Sequence, residues 1–335
     1  ATVADRPVPQ VPQDTVSSLS FGTYANTPVL ASGSWSKKVS VWTLTAQGIA
    51  PATAYEHEAP VLSVQCDSAN GLIFSAGCDN VLRAFDPNAN QSIVVGQHAA
   101  AIKDCRLLPS LGAVVTGGWD KAVRYWDPRS QTKAPVAELA LPGKVYSMDA
   151  AGNLLVIGME NRLVGCVDVR NPTAFFETAE TPHEFQVCHH VFIIDLYRYI
   201  LVHMLLLCFR SDQLTSLISL ISLYCCSVQT RVVGAMPNDM GYATGSIEGR
   251  AHIKYFGALA DKSFPFRCHR SATGNISNIF PVTSLSFHPS TGALATTGNE
   301  EITMWNHIGK VSINTHNVRR PLPAHAWQEF RSEER

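Results

Sequence analysis

Charge is scarce in this chain. Of its 335 residues only 16% are Asp, Glu, Lys or Arg, and the net charge is −1, whereas ordinary soluble domains carry about 25% charged residues. No block of like charge is present, which excludes a basic nucleic-acid arm or an acidic tail as the main design. Cysteine is present but unpatterned. The nine residues are an odd number and include no Cys-x-x-Cys pair, which argues against a secreted disulfide scaffold or a zinc knuckle and for reduced, mostly buried thiols. Residues 1–13 are rich in Pro and Val and lack the charged and apolar regions of a secretory signal. They read as a short disordered lead on an intracellular protein. The 46% apolar content excludes global disorder.

What is present is a repeat. The segments LASGSWSKKVSVWTL (30–44), FSAGCDNVLRAFDP (74–87) and VTGGWDKAVRYWDP (115–128) align with one another. Weaker copies follow at 156–169, 243–256 and 295–306. The residue after each glycine pair or Gly-Ser step, at Trp35, Cys78, Trp119, Met159, Ile247 and Asn299, recurs at spacings of 43, 41, 40, 88 and 52. A period of 40–45 closing on Trp-Asp is the mark of WD-type β-propeller blades. The fold expected is therefore all-β, a WD40 propeller spanning 14–306 with about six recognisable blades. Each blade is a run of short alternating strands separated by Gly-rich turns.

Polar residues recur with the blades. His57 and His98 precede the first strands of their units, Asp79 and Asp120 lie in turns, and Ser75 and Thr116 sit on second strands. Buried polar groups must be paired, so each His, Asp and Ser or Thr is expected to form a structural hydrogen-bond network. A catalytic His–Asp reading is disfavoured because the pairs repeat and no nucleophile accompanies them. Trp42, Phe85 and Trp126 are expected to pack between blades.

The spacing of 88 has a source. Residues 187–229 form a block in which 28 of 43 residues are apolar, with no Gly, Pro, Ala, Lys or Glu and with four of the nine cysteines. Without it the spacing returns to 45. Three readings stand: a membrane helix, a translated intron and a genuine insertion. A spanning helix over 191–209 is opposed by Asp195, Arg198 and His203, so no membrane insertion is expected. The composition suits T-rich codons; Val187-Cys188 can be encoded as a splice donor and Gln229 as an acceptor, which favours the intron. The block would interrupt the fifth blade. After Asn306 the blade pattern stops, so 307–335 reads as an aberrant tail, and a seventh blade as missing or aberrant. An open ring would expose unpaired strand edges.

The strings GSIEGR (245–250), FPFRCHRS (264–271), PVTSLSFHPSTGALATTG (281–298), YEHEAPVLSV (55–64) and GGWDKAVRYWDPRS (117–130) together resemble the WD-repeat messenger-RNA export factors of the nuclear pore. The spindle-checkpoint WD-repeat protein is their close paralogue. The likeness covers roughly 14–186 and 230–306. It implies a seven-bladed, non-catalytic propeller without a cofactor, found in the nucleus, at the nuclear envelope and pore, and in the cytoplasm. Its implied partner is a nucleoporin carrying a GLEBS-type segment; for the paralogue it is checkpoint kinases at kinetochores. RNA would associate directly or through partners.

By resemblance, Arg250 beside Glu248 pairs with acidic residues of that segment, a task suited to the fork of a guanidinium. Trp35 and Trp119 hold matching turn positions as candidate aromatic anchors. Phe266, Arg267 and Trp305 match an apolar pocket with a basic rim. Asn306 departs from the expected Asp, and HIGKVS (307–312) replaces the basic residues that should follow.

Overall fold

A computed structural model describes residues 8–45, 48–130, 132–181, 232–273, 276–298 and 301–317. Six four-stranded antiparallel sheets follow one another over 16–56, 61–97, 102–140, 145–180, 232–267 and 284–317, each with its strands in simple meander order. A two-stranded hairpin, Arg270–Thr273 with Ile276–Ile279, stands between the fifth and sixth. The first strands of successive sheets lie side by side, so they line the middle of a propeller. Apolar residues alternate along them. Val61, Val64 and Cys66 join Val29, Ala31 and Val41 between sheets one and two. Trp126 of sheet three is buried against Phe74, Leu82 and Val95 of sheet two. Gly96 permits that fit, because a Cβ there would stand 2.2 Å from the Trp126 ring.

Polar side chains stitch the first strands together. Each accepts a backbone N–H from the next sheet: Ser18 Oγ from Val64 (3.0 Å), Ser20 Oγ from Cys66 (2.9 Å), Ser63 Oγ from Cys105 (3.1 Å). The carboxylate of Asp104 accepts from Met148 (3.1 Å), Ser147 Oγ from Val233 (3.3 Å) and the Asp149 carboxylate from Ala235 (2.8 Å). This device satisfies backbone groups that neighbouring innermost strands cannot pair by a ladder. Ser286 holds the equivalent place in sheet six. It is buried, and among the described residues its Oγ has no hydrogen-bond partner. Among the described residues, the extensive contact that joins each first strand to the next is not made between Ser284–Phe287 and Val16–Tyr24.

Three expectations change. The fifth sheet is whole, with strands Val232–Ala235, Gly241–Gly245, Arg250–Tyr255 and Phe264–Arg267. The break precedes it, and the 187–229 block lies outside the described residues. Second, the pattern does not stop at Asn306. Val311–Asn317 pairs with Glu301–Asn306 as the outermost strand of sheet six. Its alternation is broken by a register shift, and Val311 and Ile313 point to solvent, so no buried stripe betrays it in the sequence. Residues 318–335 lie outside the described residues. Third, residues 1–7 are outside them too, but from Val8 the lead is packed. Val8 lies against Leu19, Leu30 and Trp42, and Trp42 Nε1 donates to the Pro9 carbonyl (2.8 Å).

Sheets four and five adhere through side chains. Leu154, Val156 and Cys166 pack on Val233, Ala235 and Tyr242. At the rim Phe176 meets Phe256 edge-on at 5.3 Å, and Lys254 pairs with Glu177 at 3.0 Å. Among the described residues no helix is long and apolar enough to cross a membrane.

Candidate partner-binding face

One end of the ring gathers the turns between second and third strands together with the links between sheets. Backbone bonds tie the two sets. Trp35 N–H donates to Thr15 O, Cys78 to Pro60 O, Trp119 to Ala101 O, Glu160 to Lys144 O, and Val282 to Ser246 O. The turns are tight, and each contains a residue in the left-handed region: Lys37, Asn80, Lys121, Arg162 and Gly249. At Gly249 only glycine fits, since a Cβ would come within 2.6 Å of the Cys268 carbonyl.

Beneath this face lie the expected networks. In sheet three Trp126 Nε1 donates to Thr116 Oγ1 (2.7 Å), Thr116 Oγ1 meets His98 Nε2 (2.7 Å), and His98 Nδ1 lies 3.0 Å from Asp120. Burial alone would raise the Asp120 carboxyl. The His98 contact, Arg124 and the Ala99 N–H outweigh it and hold the group below the usual carboxylate range. Burial in turn lowers His98. In sheet two His57 bridges Ser75 (2.8 Å) and Asp79 (2.9 Å). Phe85 there has no N–H to give, and Tyr55, stacked on it at 4.2 Å, donates its hydroxyl to Ser75 instead. Trp42, Phe85 and Trp126 are all buried, as the packing reading requires. These histidines are consumed by structure: both ring nitrogens are hydrogen-bonded beneath the turns, leaving neither free for a substrate.

Sequence reasoning missed a third network. His269 Nε2 meets Thr296 Oγ1 (2.9 Å), which accepts from Trp305 Nε1 (2.9 Å). His57 and His98 lie 18 residues before their hydroxyl partners, but His269 lies 27 before Thr296. The intervening hairpin hides the spacing. Also missed was a buried charge cluster inside the ring. Arg106 donates to Asp104 and stands 3.5 Å from Asp149. Burial pushes Asp149 up to about 6, although Arg106 and two backbone N–H groups pull the other way. Their polar residues interrupt apolar strands, and that interruption was the available signal.

The structure places Trp35, Trp119, Glu248 and Arg250 at turns of this face. Trp35 and Trp119 are 48% and 37% exposed. Arg250 opens the third strand of sheet five, is 47% exposed, and has Glu248 as its near partner at 3.6 Å. Arg267 is its cross-strand neighbour and is exposed. Phe266 and Trp305 form a pair of their own, with ring centroids 4.8 Å apart against the core between sheets five and six. Both are partly buried, and the indole N–H of Trp305 is committed to Thr296. Phe266 and Trp305 thus sit lower, between sheets, than the four turn residues.

The WD domain, G-beta repeat family matches residues 90–127, which span the end of sheet two and most of sheet three. Across the chain, 31% identity over 301 residues relates it to the Poly(A)+ RNA export protein of Schizosaccharomyces pombe, covering 88% of this chain and 72% of that one. The mRNA export factor GLE2 of Chaetomium thermophilum is also 31% identical, over 86% and 70%. The chain belongs to the mRNA export factor family of WD-repeat proteins. A paralogue stands nearby: Mitotic checkpoint protein BUB3.1 of Arabidopsis thaliana is 27% identical, over 92% of this chain and 78% of that one.

Proposed function

We propose that this chain is a non-catalytic scaffold of messenger-RNA export. It would work in the nucleus, at the nuclear envelope and pore, and in the cytoplasm, and bind a GLEBS-type segment of a nucleoporin across the turn face. The observation that carries this reading is Arg250. Its guanidinium is half exposed on that face, flanked by exposed Arg267, and its near neighbour Glu248 is only at 3.6 Å. A guanidinium so loosely held can turn its fork to an incoming carboxylate. Trp35 and Trp119 supply exposed aromatic area on the same face, the kind of anchor that dominates peptide capture. RNA would associate directly or through the partner; a net charge of −1 provides no global attraction for phosphate.

The test is Arg250→Glu against a nucleoporin GLEBS-type peptide. Affinity is expected to fall at least about tenfold, ~1.4 kcal/mol, with thermal stability nearly unchanged, because an exposed charge contributes little to folding. Equal binding by the variant removes Arg250 from the site. A second reading, a spindle-checkpoint adaptor binding checkpoint kinases, is favoured by the BUB3.1 likeness. Recovery of checkpoint kinases without nucleoporin in a pull-down would decide for it.

A further inference from the structure

The seams between sheets are not equally filled. At the end of the strands away from the turn face, rings close the seam between sheets four and five. Phe256 is the first residue after the third strand of sheet five. Phe176 is the residue that the fourth strand of sheet four leaves unpaired, where the register shifts between Cys166 and Val167. The two rings meet edge-on at 5.3 Å, and Tyr242 lies 5.8 Å from Phe256.

The seam between sheets one and two repeats this backbone without those rings. Pro87 is the first residue after the third strand of sheet two. Ala52 is left unpaired where the register of sheet one shifts between Val41 and Trp42. Nearer the turn face Tyr55 stacks on Phe85. Farther along the strands a cleft of about 200 Å³ remains. Its floor is buried Val29, Val41 and Ile73, and exposed Thr23 and Ala52 stand at its mouth. Tyr24 forms one wall. It is seated against Gly71, which lies in the left-handed region and where a Cβ would stand 3.0 Å from the Tyr24 ring. Among the described residues the one charged group lining the cleft is Asp67, and it is spent on its own turn. Its carboxylate accepts the N–H groups of Ala69 (3.0 Å) and Asn70 (3.2 Å) and the Asn70 side-chain amide (2.7 Å).

The contrast between the two seams gives the size and chemistry of what would fit. An apolar cavity of about 150 Å³ takes benzene, so this cleft holds one ring with little to spare. It is smaller than the ~300–1,000 Å³ of a site for a free ligand, so the ring that enters is carried on something larger. With Asp67 spent, the gain comes from burying apolar surface. We propose that this cleft is a docking pocket for a phenylalanine side chain of a partner protein. The ring fills from outside the space that Phe176 fills from within between sheets four and five. The pocket lies at the end of the ring opposite Arg250, so it can be occupied together with the turn face and does not rest on that reading.

The probe is N-acetylphenylalaninamide, added to the full chain and followed by methyl NMR at Val29, Val41 and Ile73. Their signals are expected to move upfield and saturably in the ring current. N-acetylalaninamide should bind roughly tenfold to hundredfold more weakly, the difference made by burying one ring. Ala52→Phe supplies the ring from the chain itself, as Phe176 does, and should abolish the response. Ala52→Ser and Arg250→Glu should keep it. Should Ala52→Phe fail to fold, Ala52→Leu is the second filling variant and is read the same way. The absence of a saturable shift in the unsubstituted protein overturns the pocket, as does a response that survives in the filled variant. An equal response to N-acetylleucinamide overturns the choice of an aromatic ring.

Discussion

Asp149→Asn should make the protein more stable at neutral pH. Asp149 sits at the junction of sheets four and five, buried, with its carboxylate accepting the Ala235 N–H at 2.8 Å and Arg106 Nε at 3.5 Å. Arg106 is shared with Asp104, which is also buried and raised by burial, so two carboxylates divide one guanidinium. With Asp149 near 6 in the fold and about 3.9 in the unfolded chain, the folded state holds a proton that the unfolded state has released between those values. Stability from this group is therefore full below about 4, falls as pH rises from 4 to 6, and is lost above 6. The loss is roughly 2 pK units, or ~3 kcal/mol. Asparagine keeps the carbonyl acceptor for Ala235 and carries no charge. Urea unfolding of both proteins from pH 4 to 8 isolates the effect, because the buried histidines, lowered by burial, titrate alike in each. The variant is expected to match the wild type near pH 4 and to gain up to ~3 kcal/mol by pH 7.5. A difference curve that is flat, or that falls with pH, refutes the reasoning and gives Asp149 a net favourable ion pair.

Other outcomes follow from the same contacts. Gly96→Ala drives a methyl into the Trp126 ring and should cost about 1–3 kcal/mol, read as a lowered urea midpoint with quenched or shifted Trp126 fluorescence. Ser147→Ala removes the acceptor of the buried Val233 N–H and should cost about 1–3 kcal/mol; native hydrogen exchange should quicken at Val233 while the Cys105 amide stays protected. Trp42→Phe loses the bond to Pro9, about 1 kcal/mol, read as a lowered urea midpoint with faster hydrogen exchange at Gln10. Deleting 187–229 leaves 181–186 and 230–231 to join sheets four and five, about 25 Å of reach; circular dichroism and melting should report a β-protein at least as stable, and collapse of the strand signal would make the block structural.

The repeat was legible because it is written in side chains that the fold must bury. Trp42, Phe85 and Trp126 end third strands, Ser75 and Thr116 meet His57 and His98, and the glycine-rich turns set the period; each lies close in sequence to its partner. The sixth sheet was half legible for the converse reason. Its outermost strand carries Val311, Ser312, Ile313 and Asn314 with a register shift among them, and an exposed edge strand needs no apolar stripe. Ser286 shows how one residue can mark an unfinished junction, but its meaning depends on Ser20 and Asp149, five and two sheets away, a relation no local pattern contains.

The candidate face was legible only as a set of positions. Sequence order places Trp35, Trp119 and Arg250 at equivalent turns, and equivalence in a propeller means the same end of the ring. It says nothing about depth. Trp305 occupies the equivalent of Trp126, and like Trp126 it spends its indole N–H on a threonine hydroxyl. What separates the two is the next layer: Trp126 is sealed by the Gly96 backbone, whereas Trp305 is covered by Phe266 and remains partly open. A side chain held at one end and open along one face is rigid, and a rigid aromatic loses little entropy when a partner covers it. Packing has fixed Phe266 and Trp305 in place, and any recognition by them would draw on that rigidity.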